Sequence, residues 1–136
     1  MNNLAHHALN QYQSTGNSSI AYADPHELIL RLMNGAIERL AQARGAIQQK
    51  NTQTKGELIG KAISIIGGLN ACLDHEQGGE ISTNLEALYE YMNNRLLEAN
   101  IEDNVNKLDE VSRLLQEIRS AWIQVPEKIK QESSRV

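Results

Sequence analysis

The chain has no phenylalanine, and its aromatic complement is four tyrosines and one tryptophan in 136 residues. A core built on stacked aromatic rings is therefore excluded, and Leu, Ile, Met and Ala must do the packing. The single cysteine, Cys72, has no partner in the chain for a disulfide, and nothing in its apolar context signals an oxidising compartment. Nowhere is there an uninterrupted apolar run of about 18 residues, so no membrane span is expected. The opening MNNLAHHALNQYQSTGNSSI has neither a basic start nor an apolar stretch after it, so no secretory signal is expected and the default location is the cytosol. Basic side chains number 13 against 17 acidic, giving a net charge of -4, and they are scattered. That argues against an electrostatic footprint for nucleic acid.

What the chain does have is helical periodicity. Asp24, Pro25 and Glu27 form a start signal, with Asp as N-cap, Pro at the first helical position and Glu in the first turn. Apolar residues at 29, 33, 36, 40, 43 and 47 keep the 3- and 4-residue spacing of one face, up to Lys50 and Asn51. Thr54 and Glu57 read as a capping box opening a second helix, which carries Leu58, Ala62, Ile65, Leu69 and Cys72 and ends near His75. Gln77, Gly78 and Gly79 read as the next turn. A third helix is expected over 81–99, then a polar link at 100–103. Leu108, Val111, Leu115, Ile118 and Trp122 mark a fourth helix, limited by Pro126. Short links force neighbouring helices to run antiparallel, so the expected fold is all-α, an antiparallel up-down four-helix bundle over 24–125. Residues 1–23 read as a flexible arm with a short amphipathic stretch, tethered by STGNSS, and 126–136 as a polar tail.

Bundles often hold metals, but the patterns that would do so are absent. Neither His26 nor His75 follows a Glu by three residues, as a di-iron site requires. HELIL at 26–30 starts like a zinc-protease helix, but Leu30 stands where the second ligand belongs. Cys72 and His75 are spaced as two ligands, and two do not make a site. No nucleophile–base pairing or phosphate loop is evident, and Gly67 with Gly68 reads as a close helix contact. No catalytic residue, metal or cofactor is expected.

The remaining signal is surplus apolar surface. On the third helix, Leu85, Leu88, Tyr89, Met92, Leu96 and Ala99 fill one arc, while Tyr91 and Leu97 lie roughly 110° and 130° from its centre. On the second helix, Ile59, Ile63 and Ile66 widen the apolar arc to about half the circumference, where a bundle helix needs a stripe nearer 100°. Ile59, Ile63, Ile66, Tyr91 and Leu97 are thus expected to line a groove for a partner helix. On periodicity alone, a generic helix-binding adaptor fits as well as a dedicated partner.

The chain resembles the FliS family, the flagellin-specific export chaperones of bacterial flagella. The likeness spans about Tyr12 to Trp122. It is carried by a Tyr in the arm, DPHELILRLMNGAIERLAQA, KAISIIGGLNACLD, GGEISTNLEALYEYMNNRLLEAN and LDEVSRLLQEIRSAW, in that order. Met33 stands where the family usually has Tyr, a place a flexible Met can fill. The resemblance implies a cytoplasmic helical bundle that binds the C-terminal segment of flagellin, keeps it from assembling early and helps deliver it to the export gate. It further implies that Tyr12 shields the groove until a client arrives. Monomer and swapped dimer both remain open at this point.

Overall fold

The computed structural model describes residues 24–124, and four α-helices account for nearly all of them. They are α1 (Pro25–Gln48), α2 (Thr52–Ala71), α3 (His75–Glu102) and α4 (Val105–Ile123). No strand occurs among the described residues. α1 packs on α2 and α4, and α3 packs on the same two, which closes the four helices into a ring. Cross-helix bonds fix their directions. Arg44 meets Asp109 and Arg119 meets Asn34, so α1 and α4 are antiparallel; Lys55 meets Asn100 and Asp103 while Asn93 meets Ile63, so α2 and α3 are antiparallel. The up-down bundle expected from the sequence is the fold observed.

The first helix begins as its start signal dictates. Asp24 is extended (φ -145°, ψ 102°) and its carboxylate accepts the His26 N–H at 3.0 Å, with Pro25 at the first position. The second begins three residues before the expected box. Its N-cap is Asn51, whose side chain accepts the Thr54 N–H at 3.2 Å. The reason lies in how α1 stops. Lys50 takes a left-handed conformation (φ 58°), Asn51 N–H bonds the Ala46 carbonyl and Lys50 N–H the Ile47 carbonyl, a Schellman closure. The chain has then already reversed, and Asn51 both ends one helix and caps the next. The same device recurs between α3 and α4. Asp103 is left-handed (φ 52°), Asn104 N–H bonds the Ala99 carbonyl, and Asn104 caps α4 through the Lys107 N–H. α3 consequently runs three residues past the expected end at 99, and the polar link shrinks.

At the opposite end of the bundle, the expected turn at 77–79 is instead part of α3. Asp74 caps the helix through the N–H groups of Glu76 and Gln77, so α3 opens at His75. Gly79 (φ 51°, ψ -121°) then kinks it, in a backbone region that only glycine enters freely. The fully buried Ser82 donates to the Asp74 carbonyl at 3.0 Å and ties the first turn to the shaft.

The core is mainly aliphatic, as the missing phenylalanine required, with Tyr89 buried in it. Leu32, Leu40, Ile59, Ile66, Met92, Leu96, Leu108 and Leu115 are its largest fully enclosed members, and Met33 is also buried. Gly35, Ala36, Ala43, Ala62 and Gly68 are buried small residues on α1 and α2, where they let two backbones approach. Gly67, expected to share that contact, points outward instead, and a Cβ placed there meets nothing within 4 Å. His26 and Trp122 close the ring where α1 begins and α4 ends. Their rings stack at 4.4 Å, the indole N–H donates to the His26 carbonyl, and His26 Nε2 donates to the Trp122 carbonyl, both at 3.1 Å.

Candidate functional site

The seams between helices differ in chemistry, and the difference marks out a candidate site. Along α1–α4, Arg44 grips Asp109 with both Nε and a terminal nitrogen, and Arg119 bonds Asn34. Along α3–α4, Arg95 holds Glu110 at 2.8 Å and Glu98 at 3.2 Å, and Lys107 bridges Glu98 and Glu102. The Tyr91 hydroxyl donates to Glu110 at 2.5 Å, with the Arg95 guanidinium 5.7 Å from its ring centre. The Tyr91 and Arg95 hydrogen bonds hold the Glu110 carboxyl below its ordinary range, and the bond to Glu110 raises the Tyr91 phenol. These seams are covered by charge.

The α2–α3 seam is different. Among the described residues its side-chain bonds are Lys55 at one end, donating to the Asn100 carbonyl at 2.8 Å and to Asp103 at 2.7 Å, and Asn93, donating to the Ile63 carbonyl at 3.4 Å. Those pairings set the register, which places Leu97 across from Ile59 and Gly60. Gly56, Gly60 and Gly67 follow one another along the outer face of α2, and a Cβ at any of them would meet only open space. They leave bare, shallow backbone. Leu97 stands above it 51% exposed, Ile101 follows one turn on at 84%, and Ile63 packs half-buried against the core edge. A shallow trough with an apolar floor of this kind, flanked by Glu86 and Glu90 on the Leu97 stripe of α3, accepts an amphipathic helix face.

The residues expected in the groove divide three ways. Ile63 and Leu97 lie together on this seam. Ile59 and Ile66, expected to line the groove, are 0% exposed and belong to the core, which corrects that expectation for these two. That arc is wide because α2 contacts α1 on one side and α3 on the other, so both flanks are used in the bundle itself. Tyr91 is 42% exposed but stands on the α4 side of α3, bonded to Glu110, while Leu97 stands on the α2 side. The two lie roughly 120° apart around the helix, so one groove does not contain both. Tyr12 lies outside the described residues. Gly56, Gly60 and Ile101 were missed by counting apolar side chains, yet the 4- and 7-residue spacing of Gly56, Gly60 and Gly67 was a visible signal of a side-chain-free stripe.

Elsewhere, Cys72 is partly buried near the end of α2, and burial raises its thiol above the ordinary value. His75 Nε2 lies 3.6 Å from Glu86. Among the described residues no three His, Cys, Asp or Glu side chains converge as a metal site, and no helix is long and apolar enough to cross a membrane.

Comparison with known proteins agrees in extent. The model of the family described as flagellar protein FliS matches residues 8–129. The flagellar secretion chaperone FliSB of Pseudomonas aeruginosa is 53% identical over 116 residues, covering 85% of this chain and 92% of the relative. The flagellar secretion chaperone FliS of Salmonella typhimurium is 45% identical, covering 87% and 88%, and that of Bacillus subtilis 36% identical, covering 85% of each. With the bundle, its order of helices and this breadth of match, the chain belongs to the FliS family of flagellar proteins.

Proposed function

We propose that this protein is a non-enzymatic flagellar secretion chaperone of the bacterial cytosol, which binds the C-terminal segment of flagellin on the α2–α3 face and hands it to a component of the export gate. The observation that carries the reading is the shallow apolar trough of Ile63, Leu97 and the α2 glycines, on a chain matched to the family over 8–129. A flagellin tail awaiting export exposes an amphipathic face meant for filament packing, and a chaperone must cover it reversibly without consuming energy. Folding a disordered segment onto such a surface buries roughly 1,000–3,000 Å² while ordering it costs about 2–5 kcal/mol or more, which leaves binding firm yet reversible. In this reading the segment 1–23 competes for the same trough, with Tyr12 as the residue that holds the place of the client.

Seeded polymerisation of flagellin tests this. Equimolar protein should suppress filament growth, and flagellin lacking its C-terminal segment should neither co-elute with the protein nor be held back by it. Unimpeded growth, or equal binding of the truncated flagellin, refutes the reading and favours an adaptor for another helix.

A further inference from the structure

Two buried side-chain atoms among the described residues have no hydrogen-bond partner, Asn70 Oδ1 and Asn93 Oδ1. Both belong to the α2–α3 seam. Asn93 reaches across it to the Ile63 carbonyl, and Asn70 shares the flank of Ile63 on α2, seven residues and two turns further on. The other buried polar side chains among the described residues, Lys55, Ser82 and His26, have partners. Lys55 bonds Asn100 and Asp103, Ser82 bonds Asp74, and His26 bonds Trp122. An enclosed amide oxygen without a donor is a destabilising feature that a leucine of similar shape would remove. Such deficits are few in folded proteins and call for a cause. Here they are confined to the face on which a client is proposed to dock, so the missing donors are accounted for if they arrive with it.

We infer that Asn70 and Asn93 are specificity-determining residues of that face, each accepting a hydrogen bond from a donor side chain of the docked helix. The inference rests on the client-docking reading above. Neither side chain is wholly enclosed. The terminal amide torsion of Asn is broad, so either amide can turn over as a helix seats on it, at Asn93 for the loss of only a 3.4 Å bond. Backbone N–H groups inside a helical client are already bonded to its own carbonyls, so the donors must be side chains such as Asn, Gln, Ser, Thr or Lys. Seven residues along α2 span roughly 10.5 Å. The fitting occupant is therefore an amphipathic helix with two donors at i and i+7 on an otherwise apolar face. A purely apolar helix would leave both acceptors desolvated and unpaired, and would be disfavoured on that account.

The test is calorimetric titration of the flagellin C-terminal segment into the wild type, Asn70→Leu, Asn93→Leu and the double variant, with thermal melts of each. The melts should be unchanged or higher, while Kd rises about tenfold per site. Replacing the matching donor in the segment by Leu should weaken binding to wild type and leave binding to the corresponding Leu variant unchanged. Side-chain amide resonances of Asn70 and Asn93 in the unmodified protein should shift on saturation, a readout that needs no variant to fold. Leu variants binding within twofold of wild type, or amide resonances that stay put, overturn the inference while leaving docking on this face intact. No binding by the wild type overturns the client reading and the inference with it.

Discussion

Leu97 and Leu69 are both leucines near the α2–α3 seam, and an aspartate at each should have opposite consequences. Leu97 is 51% exposed, so folding buries about half of a side chain whose full burial is worth about 1.5–3 kcal/mol. Losing that half, together with roughly half a kcal/mol of helix propensity, puts Leu97→Asp at about 1.3–2 kcal/mol of destabilisation, less than an ordinary domain's total. Leu69 is 2% exposed and inside the core cluster. Leu69→Asp removes nearly all of a buried side chain, which alone costs about 2–5 kcal/mol, and leaves an unpaired charge in apolar surroundings. That is enough to unfold the bundle. Ile63, half-buried at the edge, should fall between them. For client binding the order reverses among folded variants. A central anchor costs about 2 kcal/mol or more when lost, close to a thirtyfold rise in Kd. Circular-dichroism melts with calorimetry of the flagellin segment read both quantities. If Leu97→Asp binds the segment as wild type does, the trough is not the docking surface; if it unfolds, the exposed leucine is a structural one and the division drawn here fails.

Tyr91→Ala should leave client affinity within about twofold, because Tyr91 is engaged with Glu110 on the α4 side, and should change the melting temperature little, as expected for an exposed hydrogen bond; a large loss of affinity would extend the docking face onto α4. Lys50→Gly should raise the melting temperature by several degrees, since a left-handed non-glycine residue carries about 1–2 kcal/mol of strain that glycine relieves; a decrease would show that the Lys50 side chain matters more than its backbone. Glu110 has a lowered folded-state pKa, so its stabilising contribution is present above its ordinary value near 4.5 and is lost as pH falls through the folded value. Below about pH 4.5 the wild type should therefore lose melting temperature more steeply than Glu110→Gln, and parallel curves would show that the Tyr91–Glu110–Arg95 cluster is screened to insignificance.

The four helices were legible because their determinants are local: Asp24 with Pro25, and apolar residues every three or four positions. The boundaries that moved did so where two determinants overlap. Asn51 and Asn104 each act as the end of one helix and the cap of the next, a double role invisible until the left-handed Lys50 and Asp103 are known. Gly79 read as a turn because glycine permits one, yet Asp74 upstream and Ser82 downstream hold helix on both sides of it. The candidate docking face was half legible. An angular count finds that Tyr91 and Leu97 leave the core stripe, but which neighbour each then faces depends on the handed order of helices in the ring. Ile59 and Ile66 show the converse, since an apolar arc of given width is core or surface according to how many helices touch it. Glycine escaped notice because an apolar tally assigns it nothing, although its missing side chain shapes the trough.

The central claim is that the α2–α3 face buries apolar surface of a flagellin C-terminal segment, and the heat capacity of binding measures that most directly. Titrating the segment at several temperatures should give one-to-one binding at micromolar or lower Kd, with a strongly negative heat-capacity change that shrinks in Leu97→Asp. Saturable binding with a heat-capacity change near zero, or no binding at micromolar concentrations, would contradict it.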